Sequence, residues 1–205
     1  ARPVQHTLPR RSELLTSDNA AWRALGPLWG QALDGAAPCA QAQSLGLQCF
    51  RTPRMTLLGL RRLDRPAMLV LHLPDGPARV LLTALDAHSA TLQAGERRWR
   101  VALDALTPAW RGDYATLWRT PPGSTARIGN VSSGPAAQWM AQQLERLHTA
   151  RELPADAQGF AQQLQVFQLA QGIAGGGKAT PMTFMQVNRL SGVDEPRLTP
   201  PDPQP

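Results

Sequence analysis

Between Ala67 and Val101 the chain alternates short apolar runs with tight turns, and this stretch most constrains the fold. Ala67-Met68-Leu69-Val70-Leu71-His72-Leu73 is the clearest strand of the chain. Pro74-Asp75-Gly76-Pro77 follows it as a tight turn: proline presets φ, aspartate bonds locally and glycine tolerates positive φ. Arg79 to Leu85 then pairs back as a hairpin. A further hairpin runs from Ala90 to Gln93, through a turn at Ala94-Gly95-Glu96, into Trp99 to Val101.

Helical segments precede this sheet. Ser17-Asp18-Asn19 is an N-cap cluster opening a helix with Trp22, Leu25, Leu28 and Trp29 on one apolar face, closed at Gly30. Cys39 to Leu45 reads as a short helix, Leu47 to Phe50 as a short strand, and Met55 to Leu63 as a helix with Leu57, Leu60 and Leu63 inward. After the hairpins come a helical turn at Leu103 to Leu106 and a closing strand from Tyr114 to Arg119. Helices first and an antiparallel sheet after them predict an α+β domain over residues 13–122. Residues 1–12 read as a tether, and Pro121-Pro122-Gly123-Ser124 as a linker.

Beyond the linker the period changes. Ala136 to His148 is amphipathic, with Trp139, Met140, Leu144 and Leu147 inside; Leu164 to Gln171 and Met182 to Leu190 are two further helices. They predict a small three-helix domain over 128–195, followed by a disordered proline-rich tail, 196–205.

Composition narrows the function. With 42% hydrophobic and 18% charged residues the chain supports a packed core. No apolar run approaches the ~18–20 residues that span a bilayer. The net charge of +6 is carried almost wholly by arginine, with Lys178 the lysine of the chain. Cell-wall polymer, anionic headgroups and nucleic acid are the partners such a charge suits; a solvated arginine-rich surface explains it equally. No nucleic-acid-binding pattern is present, so none is expected.

Cys39 and Cys49 are spaced wrongly for zinc. Joined, they would close a loop worth about 2.5–3 kcal/mol on the chain-entropy account and would imply an oxidising compartment. Two buried thiols are the alternative. His6, His72, His88 and His148 are scattered, with no ligand spacing, so no metal and no cofactor are expected. Gly172 to Ala179 approaches a phosphate-binding loop, but Ala179 stands where a magnesium-binding hydroxyl is required and a helix precedes it. Trp22, Trp29, Trp110, Trp118 and Trp139 fit apolar faces. Trp99, between Arg98 and Arg100, either stacks on a sugar or packs under arginine stems.

Two family resemblances join these readings. The Phe167-Gln168 pair, the glycine-rich turn and Pro181-Met182-Thr183-Phe184-Met185-Gln186-Val187-Asn188 resemble the second half of the three-helix peptidoglycan-binding domain. That resemblance implies peptidoglycan as ligand, with Gln168, Thr183 and Asn188 as polar contacts, Asn188 alternatively capping the last helix. The family's Asp-Gly-x-x-Gly-Pro-x-Thr turn is altered here, with Gly176 at the aspartate and Thr180 at the second glycine. Residues 17–120 resemble the papain-like C39 peptidase fold, Trp110-Arg111-Gly112 matching its closing Trp-x-Gly. The alignment places Ala78 at the catalytic histidine, Gln93 near the aspartate, and no cysteine in Thr16-Ser17-Asp18-Asn19. It therefore implies no catalytic residues and a dead peptidase-like module.

The two in series resemble the periplasmic part of the GspA/ExeA family of type II secretion assembly ATPases, on Gly46-Leu47-Gln48-Cys49 and Asn188-Arg189-Leu190-Ser191-Gly192-Val193. This implies a periplasmic, non-enzymatic module that works with GspB to assemble the secretin GspD through the wall. The peptidase-like domain would mediate either self-association as a homo-oligomer or binding to GspB, and the resemblance implies a membrane helix and ATPase upstream of Ala1. The alternatives are an interaction domain pair that has lost wall binding, and a residual peptidase or wall hydrolase dependent on Ser17 or Cys39.

Overall fold

The structure is a computed structural model describing residues 3–149 and 159–198. The fold is α+β, as the order of helices and hairpins predicts. It comprises two compact units, one of Ala1–Ala42, Cys49–Leu117 and Pro196–Pro205, the other of Gln43–Gln48 and Trp118–Glu195.

The first unit opens with α1 (Asp18–Leu25), whose N-cap Ser17 Oγ accepts from the Ala20 N–H at 3.1 Å. Ala21, Trp22 and Leu25 form its buried face. The α-helix does not reach Gly30. Pro27 has no N–H to donate, so the chain tightens into a 3-10 turn over Gly26–Trp29, and Gly30 closes it at φ 68°. Next come α2 (Pro38–Ser44), β1 (Leu47–Thr52) and α3 (Leu57–Leu63), the last capped by Thr56. The cysteines are bonded, Cys39 on α2 to Cys49 on β1.

β2 (Ala67–Leu73), β3 (Gly76–Leu85), β4 (Ser89–Ala94), β5 (Arg97–Ala102), the short α4 (Leu103–Leu106) and β6 (Trp110–Arg119) follow. The sheet order is β1-β6-β2-β3-β4-β5, with β2–β3, β3–β4, β4–β5 and β2–β6 antiparallel. Val70 lies opposite Arg79 and Met68 opposite Ala115. The β2–β6 register shifts between Leu69 and Leu71. Gly112 sits at that irregularity with φ 102°, and its carbonyl accepts from the Met55 N–H at 2.9 Å. A Cβ there would stand 2.9 Å from the Pro53 carbonyl oxygen and 3.0 Å from that of Met55, so only glycine fits.

The ends of the chain differ from expectation. In the segment read as a tether, the Gln5 N–H donates to Arg100 and its carbonyl accepts from Ala102, both at 2.8 Å. β5 is the last strand of the sheet and offers unpaired backbone groups, which is what recruits this segment. In the segment read as a disordered tail, Leu198 is buried and its N–H donates to Asp64. Residues 199–205 lie outside the described residues.

The second unit is built on α5 (Pro135–Thr149), α6 (Phe160–Gln171) and α7 (Pro181–Leu190). Six consecutive residues of α7, Thr183 to Asn188, are buried, so this helix is enclosed on all sides. Phe184 stacks between Trp118 at 5.4 Å and Trp139 at 6.0 Å. Trp139 is half-buried rather than inside. A two-residue bridge, Val131 with Ala179, ties the α6–α7 turn to the segment before α5.

Candidate functional site

In the second unit the α6–α7 turn is organised by one side chain. Gln168 is 2% exposed. Its Nε2 donates to the Lys178 carbonyl at 2.7 Å and to Thr183 Oγ1 at 3.0 Å, and its Oε1 accepts from the Gly177 N–H at 3.2 Å. A buried amide satisfied on both sides fixes the backbone around it. Gly175 crosses directly over it, and a Cβ on Gly175 would stand 2.6 Å from the Gln168 Cδ. Gly172 ends α6 in the left-handed region at φ 63°.

Thr183 is fully buried and forms a capping box with Thr180. The Thr180 hydroxyl accepts from the Thr183 N–H at 3.3 Å, and Thr183 Oγ1 accepts from the Thr180 N–H at 3.2 Å. This accounts for threonine where the resembled turn has a glycine: Thr180 starts α7. Asn188 is 1% exposed. Its Nδ2 donates to the Arg119 carbonyl and to Glu195 Oε1, both at 2.9 Å, and its carbonyl accepts from Val193. Gln168 and Thr183 thus meet at one turn, and Asn188 lies a full helical turn beyond, closing the C-terminal end of α7. All three are buried with polar groups engaged inside the unit. The surface they present is the turn itself, with exposed Ala174, Gly176 and Lys178.

In the first unit the start of α1 meets β1 and β3. Asp18 Oδ1 accepts from Arg79 Nε at 2.8 Å, and its Oδ2 from Arg51 Nη2 at 2.9 Å. The Arg79 Nη1 also donates to the Thr16 carbonyl. Burial raises the Asp18 pKa, but the Arg79 hydrogen bond and the charges of Arg51 and Arg79 outweigh it, so the carboxyl lies below its ordinary value. Position in the first turn of a helix favours the same charge. The start of α1 therefore carries a carboxylate clamped by two guanidiniums.

The side chain reaching the helix start from β3 is Arg79, one residue past the expected Ala78, which is fully buried. Gln93 is engaged elsewhere: it donates to the Gly95 carbonyl and accepts from Arg98 near the β4–β5 turn. Ser17 serves as the α1 cap and Cys39 is in the disulfide.

A second pair lies on the Arg79 face of the sheet. His72 Nε2 and Asp113 Oδ2 are 2.8 Å apart, both half-buried, and Trp110 Nε1 donates to the Asp113 carbonyl at 2.9 Å. Sequence reading missed this pair because the two residues are 41 apart and are brought together by the β2–β6 irregularity. The signal was present only as a glycine in Trp110-Arg111-Gly112-Asp113, which marks a bulge without saying which strand it faces. Arg51, Thr52, Met68, Val70, Asp113, Tyr114 and Ala115 line a small cavity of about 20 Å³ there.

These features describe an α+β unit whose first helix starts at an ion-pair cluster, followed along the chain by a three-helix unit. The chain is similar along 201 residues to general secretion pathway protein A of Aeromonas hydrophila, with 29% identity over 95% of this chain and 36% of that protein. It therefore spans little more than a third of the length of that relative. In fold it matches a periplasmic domain of the EpsAB fusion protein of the Vibrio vulnificus type II secretion system, with TM-score 0.56 and 24% identity over 91% of this chain and 85% of that one. No protein-family model matches the chain.

Proposed function

We propose that this chain is a periplasmic, non-catalytic module of a type II secretion system that grips peptidoglycan and helps a secretin of the GspD kind assemble through the wall, in partnership with a GspB-like protein and with further copies of itself. The observation that carries this reading is similarity to general secretion pathway protein A over nearly the whole chain. The Cys39–Cys49 disulfide supports an oxidising compartment. The Asp18 clamp supports the absence of peptidase chemistry, because a carboxylate held ionised between two arginines neither attacks a peptide carbonyl nor activates a neighbour that does.

In this reading Gln168, Thr183 and Asn188 are positioning residues. Gln168 and Thr183 hold the Gly172–Thr180 turn in shape, Asn188 fixes the far end of α7, and the turn's exposed backbone and Lys178 meet the polymer. Single contacts of this kind are weak, and repeated copies along a polymer supply the avidity. The test is a pull-down on purified sacculi with the whole chain. Sedimentation with sacculi, reduced by Gln168→Ala in a protein that stays folded, is expected. Failure of the folded wild-type chain to sediment overturns wall binding.

A second reading, a protein-interaction module without wall affinity, is favoured by one observation: the three polar side chains expected to touch the ligand are buried and bonded internally. It predicts no sedimentation with sacculi together with retained capture by the GspB-like partner.

A further inference from the structure

The first unit has a cleft that the proposed function does not use. Its floor is one face of the sheet. Val70 lies opposite Arg79 and Met68 opposite Ala115, so these four side chains share a face, and by alternation along the strands His72 and Asp113 share it too. The cavity of about 20 Å³ is bordered by Arg51 and Thr52 from β1, by Asp113 and Ala115 from β6, and by Met68 and Val70 from β2. That volume holds one water or one methyl-sized group.

Groups of both charges border this cleft. Arg51 is 50% exposed and gives, among the described residues, a single hydrogen bond, to Asp18. Its remaining N–H groups are free to meet an anion. Arg79, by contrast, is only 23% exposed and is held by both Asp18 and the Thr16 carbonyl. Asp113, also bordering the cavity, uses Oδ2 on His72 and keeps Oδ1 as an open acceptor. A half-exposed cation and a half-exposed carboxylate therefore border one methyl-sized hollow on one sheet face.

We propose that this cleft binds the free end of a short peptide. The terminal carboxylate takes the open N–H groups of Arg51, since guanidinium is the side chain best matched to a carboxylate. A methyl side chain enters the hollow over Met68, Val70 and Ala115. An amine or amide N–H donates to Asp113 Oδ1. The proposal rests on the wall-binding reading above, because the stem peptides of the wall polymer offer this set: a free carboxylate beside an alanyl methyl, and an amine on a diamino acid. It makes the first unit a second point of contact with the wall.

The test uses the whole chain and a synthetic stem pentapeptide ending in two D-alanines, followed by NMR shift perturbation and titration. Perturbations at Arg51, Val70, Asp113 and Ala115 are expected, with dissociation constants on the order of 1 mM. C-terminal amidation of the peptide should weaken binding by at least about tenfold, the loss of one charge-assisted pair. Arg51→Gln should do the same, and Val70→Phe should block the hollow while leaving the charges intact. Equal binding of the amidated peptide to the wild-type chain, or no perturbation at these residues, overturns the proposal without depending on any variant. Sacculus sedimentation separates the two readings: retained sedimentation with no peptide binding sinks the cleft alone, and loss of both sinks the wall ligand as well.

Discussion

The most discriminating perturbation is Gly175→Ala, because its effect depends on one other side chain. The Gly175 backbone is not in the left-handed region, so alanine meets no dihedral penalty there. What it meets is the Gln168 amide: the new Cβ would lie 2.6 Å from Cδ and 2.8 Å from Oε1. The amide must swing away, and with it go the bonds to Lys178, Thr183 and Gly177. At about 0.5–1.5 kcal/mol net for each, with buried partners left unpaired, the loss is about 2–4 kcal/mol. In a Gln168→Ala background the obstacle is gone, and the same Gly175→Ala change should cost less than about 0.5 kcal/mol, since alanine also restricts the unfolded chain. The double-mutant cycle therefore predicts a coupling of about 2–3 kcal/mol. Urea unfolding gives the energies, and hydrogen exchange at Ala179, whose N–H donates to Val131, reports the turn directly. Equal costs for Gly175→Ala in both backgrounds would refute the assignment of Gln168 as the organiser of this turn.

Three further outcomes are expected. Gly112→Ala should destabilise the first unit by about 2–3 kcal/mol, read as a lower urea midpoint, because a Cβ at φ 102° strikes the Pro53 and Met55 carbonyls. Cys39→Ser with Cys49→Ser should lower stability by about 2–4 kcal/mol, and reductant should then cease to shift the melting temperature. Asp86 accepts from the His88 and Ser89 N–H groups, the Ser89 hydroxyl and Arg100, and although burial raises its pKa, these bonds hold it well below the ordinary 3.8. Its contribution, and that of Asp18, is thus present above about pH 3.9 and lost as pH falls through the depressed values, so Asp86→Asn should flatten the decline of melting temperature below pH 4. An unchanged acid profile in that variant would count against the cluster.

Local physics made most elements legible. β2 occupies Ala67–Leu73, the same residues read as a strand, because apolar run, proline before and Pro-Asp-Gly turn after all agree. α7 starts at Pro181 after a threonine cap, a signal written in adjacent residues. The errors came where partners are distant. Trp139 fits an apolar stripe, yet only tertiary packing decides that one face of its ring lies on Phe184 while the side chain stays half-buried. The N-terminal residues look like a tether by composition, and become part of the fold because β5 lacks a neighbour. Gln168, Thr183 and Asn188 were recognisable as special, but a polar residue in a helical pattern does not reveal whether it faces a ligand or an inner backbone carbonyl.

The Asp18 cluster fixes the start of α1 by charge. At the α1 start Ser17 caps a backbone N–H, and the Asp18 carboxylate, in the first turn where the helix dipole favours its charge, faces two guanidiniums. One carboxylate then orders two arginines from separated strands, Arg51 on β1 and Arg79 on β3, with β6 and β2 between them in the sheet. The result is a fixed charge pattern, with Arg79 engaged inward and Arg51 left half-exposed. Asp18→Asn should separate the two roles. It keeps the shape of the side chain and removes its charge, so Arg79 loses its counter-ion while Arg51 becomes free. Stability of the first unit should fall, and affinity for a carboxylate-ended peptide should rise. A fall in both would show that Asp18 is needed to aim Arg51, and would place the clamp within the binding site instead of beside it.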